Sequence, residues 1–196
     1  EASQAFTVTV NAVNDAPTLS EVADVTFIED GSTSIALLGN DIDGDGLVYS
    51  ISGGGNNITA SVEGLTVTFI ATENFNGSDT FTATVSDGEY DASQTFTVTV
   101  SAVNDAPTLA AVDAVNFDED TSGTTTLVGS DIDSENLTYT IAGGDQITAT
   151  VSGDTVSFDS PDNYNGSESF TATVSDGEFE ASQAFTVTVN AVNDAP

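Results

Sequence analysis

The hexapeptide AVNDAP occurs three times, at Ala12–Pro17, Ala102–Pro107 and Ala191–Pro196. Each copy closes a longer repeated string: EASQAFTVTVNAVNDAP from Glu1, DASQTFTVTVSAVNDAP from Asp91, and the first string again, unchanged, from Glu180. The start-to-start spacings are 90 and 89 residues. A period of that length is a domain and not a turn of a solenoid, so the chain reads as a tandem array whose joint is AVNDAP. The expected division is a last strand and linker of a preceding repeat at residues 1–17, a first repeat at 18–107 and a second at 108–196. The opening inside a repeat implies a fragment of a longer chain.

Each repeat holds short runs that alternate apolar and polar residues, with no helical periodicity. In the first repeat the predicted strands are A (Val25–Ile28), B (Ser34–Leu38), C (Leu47–Ser52), D (Ile58–Val62), E (Leu65–Ile70), F (Asp79–Val85) and G (Ser93–Val103). Residues Glu1–Val10 read as an isolated copy of strand G, to be left unpaired or to borrow a neighbour's sheet edge. Phe81, Ala83 and Val85 share one face of F, and Phe96, Val98 and Val100 one face of G. The single-residue length difference falls in the C–D turn, where Gly53-Gly54-Gly55 is answered by Gly143-Gly144. Seven such strands in about 90 residues predict an all-β fold of tandem immunoglobulin-like seven-strand β-sandwiches arranged end to end. Without Trp or a Cys pair, an antibody-type domain is excluded. Phe69, Phe81 and Tyr49, matched by Phe158, Phe170 and Tyr139, read as core. Exposed Phe75 and Tyr164 are alternatives as platforms for carbohydrate stacking.

Charge narrows the function. The chain has 32 Asp and Glu and no Lys, Arg or His. No salt bridge between side chains can form, so every carboxylate needs water, a backbone or hydroxyl donor, or a cation. The absence of basic residues excludes nucleic acid and anionic membrane surfaces as partners, and no apolar run is long enough for membrane insertion. Without Cys, His or Lys, no nucleophile has a base beside it, so an enzyme is not expected. The cysteine-free, trypsin-resistant composition suits an extracellular bacterial protein, on the cell surface or in a secreted matrix.

The carboxylates recur in the loops. The B–C loop carries Asp41, Asp43 and Asp45, and in the second repeat Asp131, Asp133 and Glu135. The F–G turn carries Asp87 or Asp176. Those loops are expected at the end where the linker enters. The A–B turn (Glu29-Asp30, Glu119-Asp120) and the E–F loop (Glu73, Asp162) are expected at the opposite end. Stacked repeats would then gather Glu29, Glu73, Asn104 and Asp105 with Asp131, Asp133 and Asp176. Two carboxylates about 4 Å apart repel by about 1 kcal/mol in water and about 4 kcal/mol at an effective dielectric of 20. A cation must hold such a group together, and all-oxygen ligands select Ca²⁺ over Zn²⁺ or copper. Asp41-x-Asp43-x-Asp45-Gly46 imitates the start of an EF-hand loop. The twelfth position is Ser52 and no helices flank it, so that reading fails.

The AVNDAP linker, the Phe-x-Glu-Asp turns (Phe27–Asp30, Phe117–Asp120), the Asp-x-Asp loops and the FNG/YNG–TATVSDGE segments together resemble bacterial cadherin-like repeats of large type I-secreted (RTX-type) surface adhesins. The resemblance implies calcium bound between repeats, with Glu29 bridging, Glu73 assisting, Asn104 giving a carbonyl and Asp105 a bridging carboxylate. Asp131, Asp133 and Asp176 would complete that set. It implies half-sites of Asn14, Asp15, Asp41, Asp43 and Asp87 at one end, and of Glu119, Asp162, Asn193 and Asp194 at the other. Ala106 stands where the cadherin linker has a further Asn, and Ser101 and Ala102 stand where it opens on an acidic residue. The implied function is a calcium-rigidified spacer or adhesion repeat whose partners are the neighbouring repeats. Two alternatives are a filament subunit self-associating by β-strand addition, and a calcium-dependent polysaccharide-binding module.

Overall fold

A computed structural model describes residues 1–193. It divides into two compact units, the first spanning Glu1–Val103 and the second beginning at Asn104. The division falls inside AVNDAP, immediately before its Asn-Asp pair.

In the first unit the strands are β1 (Thr18–Leu19), β2 (Val25–Ile28), β3 (Ser32–Ala36), β4 (Gly39–Asn40), β5 (Val48–Gly53), β6 (Ile58–Glu63), β7 (Thr66–Ala71), β8 (Gly77–Ser86) and β9 (Asp91–Ser101). They form a four-stranded sheet, β2-β9-β8-β5, facing a three-stranded sheet, β3-β7-β6, while β1 pairs with β4. All pairings are antiparallel except β2 with β9, which run parallel. The second unit repeats this order with β10 (Thr108–Leu109), β11 (Val115–Asp118), β12 (Ser122–Thr126), β13 (Gly129–Ser130), β14 (Thr138–Gly143), β15 (Thr148–Ser152), β16 (Thr155–Asp159), β17 (Gly166–Ser175) and β18 (Glu180–Asn190). Each unit is therefore an immunoglobulin-like β-sandwich.

The period-2 patterns set which face is buried. Phe81, Ala83 and Val85 of β8 and Phe96, Val98 and Val100 of β9 all point into the core. Phe69 meets Phe81 edge-on at 5.2 Å and Phe96 at 6.0 Å, and Phe158, Phe170 and Phe185 repeat the arrangement. Such edge-to-face contacts suit the ring quadrupole. Tyr49 and Tyr139 sit at the core's margin, where their hydroxyls accept the N–H of Gly39 and Gly129. At the β5–β6 turn the backbone passes so close to Phe81 that a Cβ on Gly54 (φ +75°) would lie 2.4 Å from its ring.

Carboxylates are kept out of the sheets. Among the described residues, only Asp79 in β8 and Glu168 in β17 lie within a strand away from its ends. Outward positions are instead Ser and Thr, paired across strands as Ser78–Thr99, Thr84–Ser93, Ser34–Thr68, Ser167–Thr188 and Thr173–Ser182 at 2.8–2.9 Å. Like charges directly opposite on a sheet destabilise it. Without Lys or Arg, any two facing charges here would be alike, so hydroxyls take their place.

Two sequence expectations are corrected. Residues Glu1–Val10 form no strand, and Phe6, Val8 and Val10 are 86%, 75% and 90% exposed. In the equivalent segments, β9 and β18, strand geometry comes from hairpin pairing with β8 and β17. Glu1–Val10 has no such partner strand among the described residues, and alternation alone does not satisfy a ladder. Strand G also ends at Ser101, short of Val103, because the N–H of Val103 turns to the Glu29 carboxylate.

Candidate metal-binding ends of each unit

Each unit has two ends rich in oxygen ligands. At the entry end of the first unit the linker is tied to the body of its own sandwich. The Asn14 amide donates to Asp87 Oδ2 at 3.0 Å, and the backbone N–H of Asp15 donates to Asp43 Oδ2 at 2.8 Å. Pro17 is buried just beyond. The loop between β4 and β5 winds around one carboxylate: Asp41 Oδ1 accepts the N–H of Asp43, Gly44 and Asp45 at 2.9, 3.0 and 3.2 Å. Asp41 Oδ2 is shut off from solvent and has no hydrogen-bond partner. Oxygens of Asp41, Asp43 and Asp45 lie within 4.8 Å of one another. Across the β8–β9 turn, Asp87 Oδ1 accepts the N–H of Glu89 and Tyr90 at 2.7 Å. The N–H groups of Tyr90 and Glu89, in that order, and then the Asn14 amide hold the Asp87 carboxyl below the usual Asp value.

The second unit repeats the entry end. The Asn104 amide donates to Asp176 Oδ2 at 2.8 Å, and the N–H of Asp105 to Asp133 Oδ2 at 2.7 Å. Asp131 Oδ1 accepts from Asp133 and Ser134, and its buried Oδ2 has no partner. Asp176 is pulled below the usual value by the N–H of Glu178, then by Asn104 and the N–H of Phe179. Here Glu135 stands in place of Asp45, and no compact group of three carboxylates matches that of the first unit among the described residues.

The exit end is built on a buried glutamate. Alternation carries Val25 and Phe27 inward and then Glu29, which is 3% exposed; Glu119 follows Val115 and Phe117 and is 7% exposed. Glu29 donates its N–H to Ser101 O, and its Oε1 accepts the N–H of Val103. Glu119 does the same with Asn190 O and the N–H of Val192. Glu29 Oε2 is buried and has no partner. Beside these, Asp30 and Asp120 adopt left-handed backbone (φ 58° and 62°) and accept the N–H of Asn74 and Asn163.

Of the residues expected to bind metal, the structure gathers Asn14, Asp15, Asp43 and Asp87 with Asp41 in the first unit. It gathers Asn104, Asp105, Asp131, Asp133 and Asp176 in the second. Glu29 and Glu119 stand buried at the exit ends. Glu73 and Asp162 are exposed on the loops after β7 and β16, and Asn193 is exposed. Asp194 lies outside the described residues. Asp45 joins the group through the Asp-x-Asp-x-Asp spacing, visible in the sequence. Asp30 and Asp120 end the Phe-x-Glu-Asp turns visible in the sequence, but their bonds to the N–H of Asn74 and Asn163 depend on the left-handed backbone. Phe75 and Tyr164 are not exposed platforms: both pack against the cores, and the Tyr164 hydroxyl reaches Glu168.

The donor set suits a hard cation. It is all oxygen, several of its buried oxygens lack a donor, and no side chain in the chain can neutralise it.

A family model described as the bacterial Ig domain matches residues 14–101 and 104–190. The chain belongs to the bacterial Ig domain family. Both matches begin at the Asn of an AVNDAP linker, the residue that each unit holds with Asp87 or Asp176. Among curated proteins none matches the chain in sequence. Human protocadherin-24 EC1-2 is similar in fold at a TM-score of 0.60, with 18% identity over 93% of this chain and 100% of that one. Drosophila N-cadherin EC1-4 is similar at 0.59, with 21% identity over 92% of this chain and 50% of that one. The chain spans only 29% of an endo-fucoidan hydrolase from glycoside hydrolase family 107, to which it is 21% identical, at a TM-score of 0.39.

Proposed function

We propose that the chain is a calcium-rigidified spacer or adhesion segment of an extracellular bacterial surface or matrix protein. The carrying observation is the entry-end group of Asp41, Asp43 and Asp45, whose oxygens lie within 4.8 Å in a chain without any cationic side chain. Like charges about 4 Å apart repel by about 1 kcal/mol in water and about 4 kcal/mol at an effective dielectric of 20, and a cation among them would remove that cost. Ligands come in this reading from two consecutive repeats: Glu29, with Glu73 in a lesser role, from one, and Asn104, Asp105, Asp131, Asp133 and Asp176 from the next. Asn14, Asp15, Asp41, Asp43 and Asp87 serve a preceding repeat. Glu119, Asp162, Asn193 and Asp194 serve a following one. Bound calcium would neutralise the cluster and fix the linker, turning a string of repelling units into a stiff rod.

Support comes from the linker's attachment to the unit it enters, in both repeats, through Asn to Asp87 or Asp176 and through backbone N–H to Asp43 or Asp133. Half of each ligand set is thereby preorganised, which lowers the ordering cost of binding. The test is thermal melting with calcium against chelator. The proposal expects a higher Tm in calcium and a smaller gain in both Asp41→Ala/Asp43→Ala and Asp131→Ala/Asp133→Ala. An equal Tm in both conditions would refute it.

A further inference from the structure

A pull along the chain enters the first unit ahead of β2 and leaves it after β9, and these two strands pair in parallel. The second unit is alike, with β11 parallel to β18. Parallel strands drawn from opposite ends slide along one another, so every bond between them must stretch before the first can fail. Strands drawn apart from one shared end part bond by bond.

Side chains extend this junction at both ends. Asp24, one residue ahead of β2, accepts the Thr97 N–H at 2.7 Å. Past the other end, the Glu29 N–H donates to Ser101 O at 3.0 Å, and Glu29 Oε1 accepts the N–H of Val103. Two carboxylates thus lengthen the β2–β9 junction beyond the paired residues Val25–Ile28. Glu119 repeats the second of these latches, with Asn190 O and the N–H of Val192. The first has no counterpart, because Ala114 stands ahead of β11 where Asp24 stands ahead of β2. We propose that each unit is a load-bearing element held by a shear clamp, β2 against β9 or β11 against β18, and that Asp24 and Glu29 latch the first unit's clamp at its two ends. β1 pairs with β4 over only two residues and gives way first, leaving the clamp to carry the load. The clamp needs no calcium and is independent of the stiffening proposed above. With two latches against one, the first unit resists force longer than the second.

Constant-force magnetic tweezers in chelator test this, since lifetime under force reports the unfolding rate. The chain has no Cys, so pairs of introduced Cys at exposed positions fix where the force acts. Ala16→Cys with Ala102→Cys draws β2 and β9 from opposite ends, whereas Ala16→Cys with Glu89→Cys draws them from the end they share. At equal force the first geometry should outlast the second about tenfold or more, because several bonds load together. In that geometry Asp24→Ala and Glu29→Ala should each shorten the lifetime about two- to tenfold, and Glu29→Gln, which keeps an acceptor oxygen, should preserve it. With handles at Ala106→Cys and Ala191→Cys, Ala114→Asp should lengthen the second unit's lifetime about twofold or more by offering an acceptor to the Thr186 N–H, a gain that misfolding cannot produce. Equal lifetimes in the two geometries would overturn the clamp. Lifetimes indifferent to Asp24→Ala and Glu29→Ala, or no gain from Ala114→Asp, would overturn the latches.

Discussion

The strands and the loops of this protein treat the same side chain in opposite ways. Strand interiors hold few carboxylates and present paired hydroxyls, whereas the loops at both ends of each unit collect Asp and Glu and wind their backbone around them. The cause is the complete absence of Lys, Arg and His. On a sheet, a facing pair of charges must be alike and repels. In a loop, backbone N–H groups can turn toward a carboxylate, as three do toward Asp41. The two carboxylates that lie inside strands, away from the strand ends, follow the loop rule: Glu168 accepts the N–H of Asp145, Gln146 and Ile147, and Asp79 accepts that of Gly55. What decides where an acid can sit is the supply of N–H donors.

The largest effect expected is on the neutral core that the sheets enclose. Phe81→Ala removes a ring packed against Phe69 and Phe96 and should destabilise the first unit by about 3–5 kcal/mol, read by denaturant unfolding. Glu168→Ala releases three loop N–H groups, two of them open to water, and should cost about 0.5–1.5 kcal/mol; Asp79→Ala, which releases one exposed N–H, should cost less. If the two were equal, donor supply would not be what admits an acid to a strand.

A smaller effect tests the exclusion itself. Thr82 and Thr95 face each other across β8 and β9, so Thr82→Asp and Thr95→Asp together should cost about 0.2–1 kcal/mol more than the sum of the singles. Thr82→Lys with Thr95→Asp should reverse that coupling. Smallest is a pH effect at the linker. Asp87 and Asp176 have folded values below the ordinary Asp value of 3.8. Their contribution is therefore complete above that value and disappears as pH falls through the lower folded one. NMR of the Asn14 and Asn104 side-chain amides should show both linkers holding at pH 4 to 5 and released only in stronger acid; release near neutrality would contradict this.

Much of this was legible in the residues. Strand A coincides with β2, Val25–Ile28, and the inward faces of β8 and β9 follow from simple alternation. The same alternation carries Glu29 into the interior. The short β1–β4 pairing escaped notice because two-residue strands have no period to detect. For Glu1–Val10 the missing partner was legible but the loss of strand geometry was not, since alternation reads as a strand whether or not a ladder partner is present. Glu73 shows the limit at the candidate metal-binding ends. Its position in the loop is evident, but whether its carboxylate reaches an ion depends on a backbone path that no spacing encodes. Asp45, by contrast, follows from spacing alone once Asp41 is seen to organise the loop.

The most direct test of the central claim is a calcium titration followed by small-angle scattering, on the native chain and on Asp131→Ala/Asp133→Ala. Calcium should narrow the distribution of maximum dimensions of the native chain and leave the variant's broad. Identical scattering of the native chain in chelator and in saturating calcium would contradict a calcium-stiffened joint.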